Sequence, residues 1–203
     1  MIKALLFILV LLGSSNVVDA DHANSANTPK EPPALGGSGL PLEIAGPYSL
    51  WDQKGNIRTQ IDPAGHMQLV FFGYANCQEI CSAALPQMAE VEQGLAARGI
   101  LVTPVLITVD PLRDTVASLG PALQKYGQNF VGLTGDAASL ETAYKAFSIE
   151  SSLVFDDPFY GPVYAHGSFL YLLDAKGKLL TVIPPILSTD RVIDLVSAYA
   201  PQG

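Results

Sequence analysis

The two cysteines of the chain, Cys77 and Cys81, lie where a strand pattern gives way to a helix pattern. Residues 69–72 are strand-forming and apolar, and Gly73 ends the run, which predicts a short buried strand. Apolar residues then recur at helical spacing over residues 83–95. We therefore expect the thiols in the strand-to-helix turn and the first helical turn, where backbone N–H groups favour a thiolate.

A thiol pair at this spacing can form a disulfide or bind one metal ion. Cβ atoms at helical positions i and i+4 are about 5–6 Å apart, whereas a disulfide needs about 3.8 Å. A bond between Cys77 and Cys81 therefore requires the turn to shift, and binding a metal ion is easier. An inert structural disulfide is the alternative, although so small a loop stabilises a fold little.

The first residues of the chain predict export. Residues 1–20 combine Lys3, a short apolar run, and small residues at Val18 and Ala20, which is typical of a signal peptide cleaved after Ala20. The apolar run is too short to span a bilayer, although an uncleaved membrane tether is the alternative. Residues 21–40 are predicted to be a flexible linker. We expect a soluble periplasmic protein whose cysteines meet an oxidising compartment.

Residues 41–203 predict a single α/β domain with a full hydrophobic core. The pattern is strand, helix, strand, helix, strand, helix, β-hairpin and helix, with a further hairpin over residues 41–67 laid on the main sheet. A loop or hairpin insertion is predicted at residues 148–165. A thiol pair at the first helix and a closing β-β-α unit predict a thioredoxin-like sheet flanked by helices. The formal charge of −8 argues against nucleic acid as a partner.

Two carboxylates follow the apolar strand predicted at residues 101–109. Asp110 falls at the carboxyl end of that strand, the edge where sites form in open α/β sheets, so it is equally a site candidate and an ordinary loop residue. Asp114 is expected to cap the helix predicted at residues 115–126. His22, in the linker, and His66, in a turn, are expected to be surface residues without a ligand role.

Three motifs occur in order along the predicted domain. They are Phe-Gly-Tyr-Ala-Asn-Cys-x-x-x-Cys at 72–81, Thr-Val-Asp-Pro-x-x-Asp-Thr at 108–115, and His-Gly-Ser at 166–168 leading into Tyr-Leu-Leu-Asp-x-x-Gly at 171–177. Together they resemble the Sco/SenC family of copper-binding cytochrome c oxidase assembly proteins. The resemblance covers roughly residues 45–200 and implies a thioredoxin-like fold with an inserted hairpin. It also implies that Cys77, Cys81 and His166 are copper ligands.

The resemblance implies a function and partners as well. The implied metal is copper, as Cu(I), Cu(II) or both, delivered to a receiving protein such as a cytochrome c oxidase subunit, or accompanied by reduction of that protein's thiols. Other copper chaperones or thiol reductants are further expected partners, and the protein is expected to be a monomer. Gln78 and Ser82 stand where family members often have Pro, and Ala165 where an acidic residue is common, but the implied ligands are all present.

Two thiolates and one imidazole would form a ligand set that suits copper. Structural zinc sites normally have four ligands, so copper is favoured over zinc. Asp110 or a water molecule in a fourth position is a hypothesis. Since 85 residues separate His166 from Cys81, only the thioredoxin-like topology would bring them together.

Two enzymatic alternatives stay open. A thiol–disulfide oxidoreductase usually has Cys-x-x-Cys facing a cis-proline, whereas this chain has three intervening residues and His166 in the facing loop. A peroxidase would need an arginine beside the reactive thiol, and Arg113 could approach in space. The favoured interpretation is a metallochaperone in which oxidation of Cys77 and Cys81 to a disulfide releases the metal.

Overall fold

The structure, a computed structural model, describes residues 44–75 and 80–200, without the side chains of residues 80–82. The predicted signal peptide at residues 1–20, the linker at residues 21–40 and the position of Cys77 lie outside the described residues. None of the helices within the described ranges is long and apolar enough to cross a membrane.

The described residues form an α/β domain in the predicted order of elements. The strands are β1 (Leu50–Asp52), β2 (Ile57–Arg58), β3 (Met67–Gly73), β4 (Val102–Thr108), β5 (Val131–Thr134), β6 (Ser152–Asp157), β7 (Gly161–Ala165), β8 (Leu170–Leu173) and β9 (Leu179–Ile183). The helices are α1 (Ile80–Ala96), α2 (Val116–Leu123), α3 (Ala137–Phe147) and α4 (Thr189–Tyr199). Seven strands form one sheet in the order β2-β1-β5-β4-β3-β8-β9, and β6 pairs with β7 in a separate two-stranded sheet.

The central strands β3 and β4 are buried along their whole length. They are parallel to each other, and β5 continues the parallel pairing beside β4. A nearly continuous apolar sequence is typical of strands covered on both faces of a sheet. Helix α1 contacts β3, β4 and α4, and Gly94 of α1 lets Ile193 of α4 approach its backbone closely. The segments that leave β3 and β4 therefore start from the fully buried centre of the sheet.

The N-terminal hairpin differs from the prediction. Residues 41–67 were expected to include a hairpin lying over the sheet, but β1 and β2 extend the sheet at its edge, where Trp51 pairs with Thr134 of β5. Leu50 and Asp52 are buried while Trp51 is 44% exposed, as in a strand with one buried face. The backbone groups on the outer edge of β5 require partners, and β1 supplies them.

The prediction that Asp114 caps the next helix is wrong. The N-cap of α2 is Thr115, whose hydroxyl accepts a hydrogen bond from the Ser118 N–H, while the Ser118 hydroxyl accepts one from the Thr115 N–H. This reciprocal pair is a capping box, with Ser in place of the usual Glu or Gln. The helix ends at Leu123, three residues before the predicted end. Asp114 is instead buried beneath the loop.

Both hairpins predicted in the second half of the chain are present. The insertion at residues 148–165 contains the β6–β7 hairpin, which pairs with no strand of the seven-stranded sheet in the described structure. Strands β8 and β9 form the second hairpin, and α4 completes the β-β-α unit. Strand β8 pairs antiparallel with β3, so the segment between β7 and β8 lies at the carboxyl end of β3.

Candidate metal centre

The candidate site lies at the edge of the sheet where β3 and β4 end together. Gly73 and Thr108 are the last paired residues of the two strands, and the Val109 N–H donates a hydrogen bond to the Gly73 carbonyl at 2.8 Å. From there the chain continues through Tyr74 and Ala75 towards the cysteines. Sites in open α/β sheets form at this carboxyl edge.

The cysteine pair is only partly described by the structure. Cys81 lies in the first turn of α1, as predicted, but its side chain is not described. Cys77 lies outside the described residues. A ligand set of Cys77, Cys81 and His166 therefore remains a prediction, and the described part of the site defines its surroundings.

The histidine predicted as a ligand lies at the end of β3. His166 directly follows β7, and its half-buried ring packs edge-on against Phe71 at 5.7 Å and Tyr74 at 5.8 Å between ring centroids. Phe71 belongs to β3, and Tyr74 is three residues before Cys77. The topology therefore brings His166 to the segment that leads into the cysteine motif.

The backbone beside His166 favours one tautomer of its neutral ring. Nδ1 of His166 lies 2.9 Å from the carbonyl oxygen of Gly167. A carbonyl oxygen can only accept a hydrogen bond, so Nδ1 carries the proton and the lone pair is on Nε2. Metal-binding histidines commonly use one ring nitrogen in this way while the other donates to a carbonyl or carboxylate.

Asp110 is fully buried at the end of β4 and has two partners. Its Oδ2 forms an ion pair with Nε of Arg113, and the Tyr164 hydroxyl donates to its Oδ1 at 3.5 Å. A buried carboxylate needs this compensation, because an unpaired charge is costly away from water. The proposed ligand role of Asp110 remains untested, and it would have to compete with Arg113 for the same carboxylate.

Arg113 joins the inserted hairpin to this edge of the sheet. Besides its ion pair, it donates hydrogen bonds of 2.6 Å to the carbonyl oxygens of Tyr160 and Pro162, and its guanidinium lies 5.4 Å from the ring centroid of Tyr74. Gly161, between those two carbonyls, has a φ of +75°, and a Cβ there would lie 2.9 Å from Nη1 of Arg113. The arginine considered for a peroxidase therefore reaches the site, but in a structural role.

Asp114 fixes the start of the cysteine segment, a role the sequence reasoning missed. Its Oδ2 accepts hydrogen bonds from the Ala75 N–H at 2.9 Å and the Thr108 hydroxyl at 2.8 Å. Burial raises the pKa of Asp114 above its ordinary value, although these two hydrogen bonds oppose the shift. The second aspartate of the Asp-Pro-x-x-Asp motif was the only sequence signal for this role, because a cap and a buried acceptor look alike in sequence.

Tyr164 of β7 completes the aromatic surroundings of the site. Its ring packs edge-on against Tyr74 at 5.7 Å between centroids. Burial raises the pKa of the Tyr164 hydroxyl, and the charge of Asp110 adds to the shift. The phenol therefore remains a neutral hydrogen-bond donor to Asp110 at physiological pH.

The other candidate residues lie elsewhere. His66 is half-buried at the opposite end of β3, with its Nδ1 3.5 Å from the Thr103 hydroxyl. His22 lies outside the described residues. Among the side chains that the structure describes, no group of three or more His, Cys, Asp or Glu residues could hold a metal ion.

Comparison with known proteins identifies the family. The model of the SCO1/SenC family matches residues 37–200. This chain belongs to the SCO1/SenC family. The SCO2-like protein RC0895 of Rickettsia conorii is 36% identical over 142 residues, which are 68% of this chain and 68% of the relative. The resemblance inferred from the three motifs is confirmed.

Solved Sco structures confirm the predicted thioredoxin-like fold. Yeast Sco1 with copper bound has a TM-score of 0.68 at 27% identity, over 78% of this chain and 91% of yeast Sco1. BsSco, a member of the Sco family of cytochrome c oxidase assembly proteins in which a disulfide switch was identified, has a TM-score of 0.59 at 26% identity. That match covers 79% of this chain and 95% of BsSco.

Proposed function

We propose that this chain binds copper through Cys77, Cys81 and His166 and passes it to a receiving protein by ligand exchange. Membership of the Sco family and the copper in yeast Sco1 support copper as the metal. Two thiolates bind Cu(I) well, and an imidazole suits both oxidation states of copper. Copper here is cargo, so a set of three protein ligands that leaves room for an incoming ligand suits its transfer.

The observation that carries this proposal is the position of His166. Its ring lies against Tyr74, three residues before Cys77, although the two residues are far apart in sequence. The Nδ1–H donates to the Gly167 carbonyl, which orients the ring and leaves the lone pair on Nε2. Asp114 holds the Ala75 N–H and so positions the chain two residues before Cys77.

The thiols of Cys77 and Cys81 are proposed to cycle between the reduced and disulfide states. In exchange with a partner disulfide, the two thiols would become one disulfide while the partner gains two thiols. This oxidation removes two of the three copper ligands and releases the metal. The disulfide switch identified in BsSco supports this part of the proposal.

The proposed setting is the periplasm. Residues 1–20 would be removed as a signal peptide. Residues 21–40 would then form a linker at the new N-terminus, followed by the domain at residues 41–203. The receiving protein is proposed to be a cytochrome c oxidase subunit, because BsSco belongs to a family of cytochrome c oxidase assembly proteins. N-terminal sequencing of the exported protein tests the cleavage, and a mature N-terminus upstream of Asp21 would contradict it.

Copper titration of the anaerobically reduced protein tests the proposed site. We compare the wild type with His166→Ala and with the matched control His66→Ala, since both histidines are half-buried next to β3 at its opposite ends. We expect one tightly bound copper per chain in the wild type and the control. In His166→Ala the affinity should fall and the Cu(II)–thiolate absorption should be lost or shifted.

The oxidised protein provides the second arm of the test. The disulfide form should bind copper far more weakly than the reduced form, because two ligands are gone. Equal affinity in both states would contradict the ligand set. No stoichiometric copper, together with rapid exchange of the thiols against a disulfide substrate, would establish the thiol–disulfide oxidoreductase instead.

A further inference from the structure

Arg113 attaches the inserted hairpin to the rest of the domain. In the described structure, β6 and β7 pair only with each other, so no backbone ladder fixes them to the seven-stranded sheet. The guanidinium of Arg113 donates hydrogen bonds of 2.6 Å to the carbonyl oxygens of Tyr160 and Pro162, one on each side of Gly161. Strand β7 begins at Gly161 and runs directly into His166. The arginine thus fixes the start of the strand that carries the histidine to the site.

The same guanidinium is anchored to the sheet and to the cysteine segment. Its Nε pairs with the fully buried carboxylate of Asp110 at the end of β4. It lies 5.4 Å from the ring centroid of Tyr74, three residues before Cys77. The Tyr74 ring in turn packs on the ring of His166 at 5.8 Å between centroids. Arg113 therefore contacts both segments that carry the implied copper ligands.

These contacts depend on the shape of the arginine as well as on its charge. Three different nitrogen atoms bind the Asp110 carboxylate, the Tyr160 carbonyl and the Pro162 carbonyl. A guanidinium holds its donors in a fixed planar fork, whereas lysine has one ammonium group on a flexible stem. Gly161 leaves room for the fork, because an added Cβ would lie 2.9 Å from Nη1 of Arg113. Lysine at this position would keep the charge but could not make all three contacts.

We propose that Arg113 is a positioning residue for copper binding, which holds β7 so that the ring of His166 stays beside the segment leading to Cys77. The proposal rests on the proposed function and adds to it a residue that acts on the metal through one of its ligands. A guanidinium remains protonated and donates only, so Arg113 is not itself a ligand. Loss of a group that orients a metal ligand typically lowers metal affinity 10- to 100-fold.

A double-mutant cycle tests whether Arg113 acts through the histidine. The proteins are the reduced wild type, Arg113→Lys, His166→Ala and the double variant, and Cu(I) affinity is measured by competition with the chelator bathocuproine disulfonate. We expect Arg113→Lys to lower the affinity roughly tenfold, and by no more than His166→Ala does. In the His166→Ala background the same change should have less than about a twofold effect. The Cu(II)–thiolate absorption of Arg113→Lys should shift towards that of His166→Ala, which a loss of stability alone would not produce.

Arg58→Lys is the matched control. The side chain of Arg58 is 14% exposed and that of Arg113 24%, and each pairs with a buried aspartate, which for Arg58 is Asp62 at 3.6 Å. Arg58 lies on β2, at the outer edge of the sheet. Urea denaturation of the copper-free proteins measures the stability that each change costs. Whatever that cost for Arg58→Lys, its copper affinity should equal that of the wild type.

Gly161→Ala provides a second route to the same test. It keeps Arg113 and all three implied ligands, but its Cβ crowds Nη1 of the guanidinium. Copper binding should therefore weaken in the wild-type background and change little in the His166→Ala background. If circular dichroism shows that Arg113→Lys does not fold, the cycle is carried out with Gly161→Ala.

The possible failures separate the two proposals. If Arg113→Lys binds copper as tightly as the wild type, or loses the same factor with and without His166, the positioning role is refuted while the proposed function stands. An equal loss in Arg58→Lys would also refute it, because general destabilisation would then explain the effect. If the wild type binds no copper, or if His166→Ala changes neither affinity nor absorption, the proposed ligand set fails and the positioning role falls with it.

Discussion

Replacing the buried carboxylate of Asp114 should destabilise the domain by a predictable amount. Asp114→Ala removes the acceptor of the Ala75 N–H and of the Thr108 hydroxyl, both of which are buried. A buried donor left without a partner costs about 1–3 kcal/mol. The variant no longer buries a carboxylate away from water, and this gain offsets part of the loss. We therefore expect the free energy of unfolding to fall by about 2–4 kcal/mol.

Asp114→Asn gives the matched comparison, because a single oxygen, Oδ2, accepts both hydrogen bonds. The amide oxygen can accept the same two bonds without the charge, so the loss should be only about 1 kcal/mol. Urea denaturation followed by circular dichroism measures both variants, with Glu141→Gln as an exposed control. A loss under about 1 kcal/mol for Asp114→Ala, or equal losses for Ala and Asn, would refute the reasoning.

The raised pKa of Asp114 adds a pH dependence with a defined sign. Burial raises the pKa in the folded state, so the folded protein binds the proton more tightly than the unfolded chain. The stability of the wild type relative to Asp114→Asn should be highest below the ordinary Asp pKa of about 3.9. It should decrease as the pH rises through the raised value. An increase of this difference with pH would contradict the assignment.

Three further predictions concern the surroundings of the site and the core. Gly161→Ala should lower the free energy of unfolding by about 1–3 kcal/mol, because φ at this position is +75° and the added Cβ would contact Arg113. In thermal unfolding, this loss should be smaller in an Arg113→Ala background. Gly132→Ala should also lower the free energy of unfolding by about 1–3 kcal/mol, because the added Cβ would lie 2.7 Å from Cδ1 of Leu123. Urea denaturation measures this loss. An ultraviolet pH titration of the wild type and of Tyr164→Phe should differ by one tyrosine whose pKa lies above the ordinary value. If the missing tyrosine instead has an ordinary pKa, the burial of the Tyr164 hydroxyl is contradicted.

The order of elements was predictable from sequence because strand and helix periods are local signals. The apolar runs that became β3 and β4 have no polar alternation, which is typical of strands covered on both faces. The position of β1 was not predictable in the same way. Its alternation shows one buried face, but the choice between lying on a sheet and extending its edge depends on which edge is open.

The sequence suggested candidate site residues but not the contacts that connect their surroundings. The motif order pointed to His166, and the fold places that ring beside Tyr74. The roles of Asp114 and Arg113 depend on contacts between segments that are distant in sequence, such as the hydrogen bond from Ala75 and those to the hairpin carbonyls. No local pattern encodes such contacts, so the local cap was a reasonable but wrong interpretation of Asp114.

The pairing of β8 with β3 determines when, during folding, His166 reaches the end of β3. Paired residues such as Gln68 and Leu173 are roughly 100 residues apart in the chain, and contacts between distant residues form slowly during folding. Until β8 has joined β3, His166 is not held at the end of that strand. If the proposed export and ligand set hold, a newly exported chain would present its thiols well before its imidazole. High-affinity copper binding would then be restricted to molecules that have finished folding.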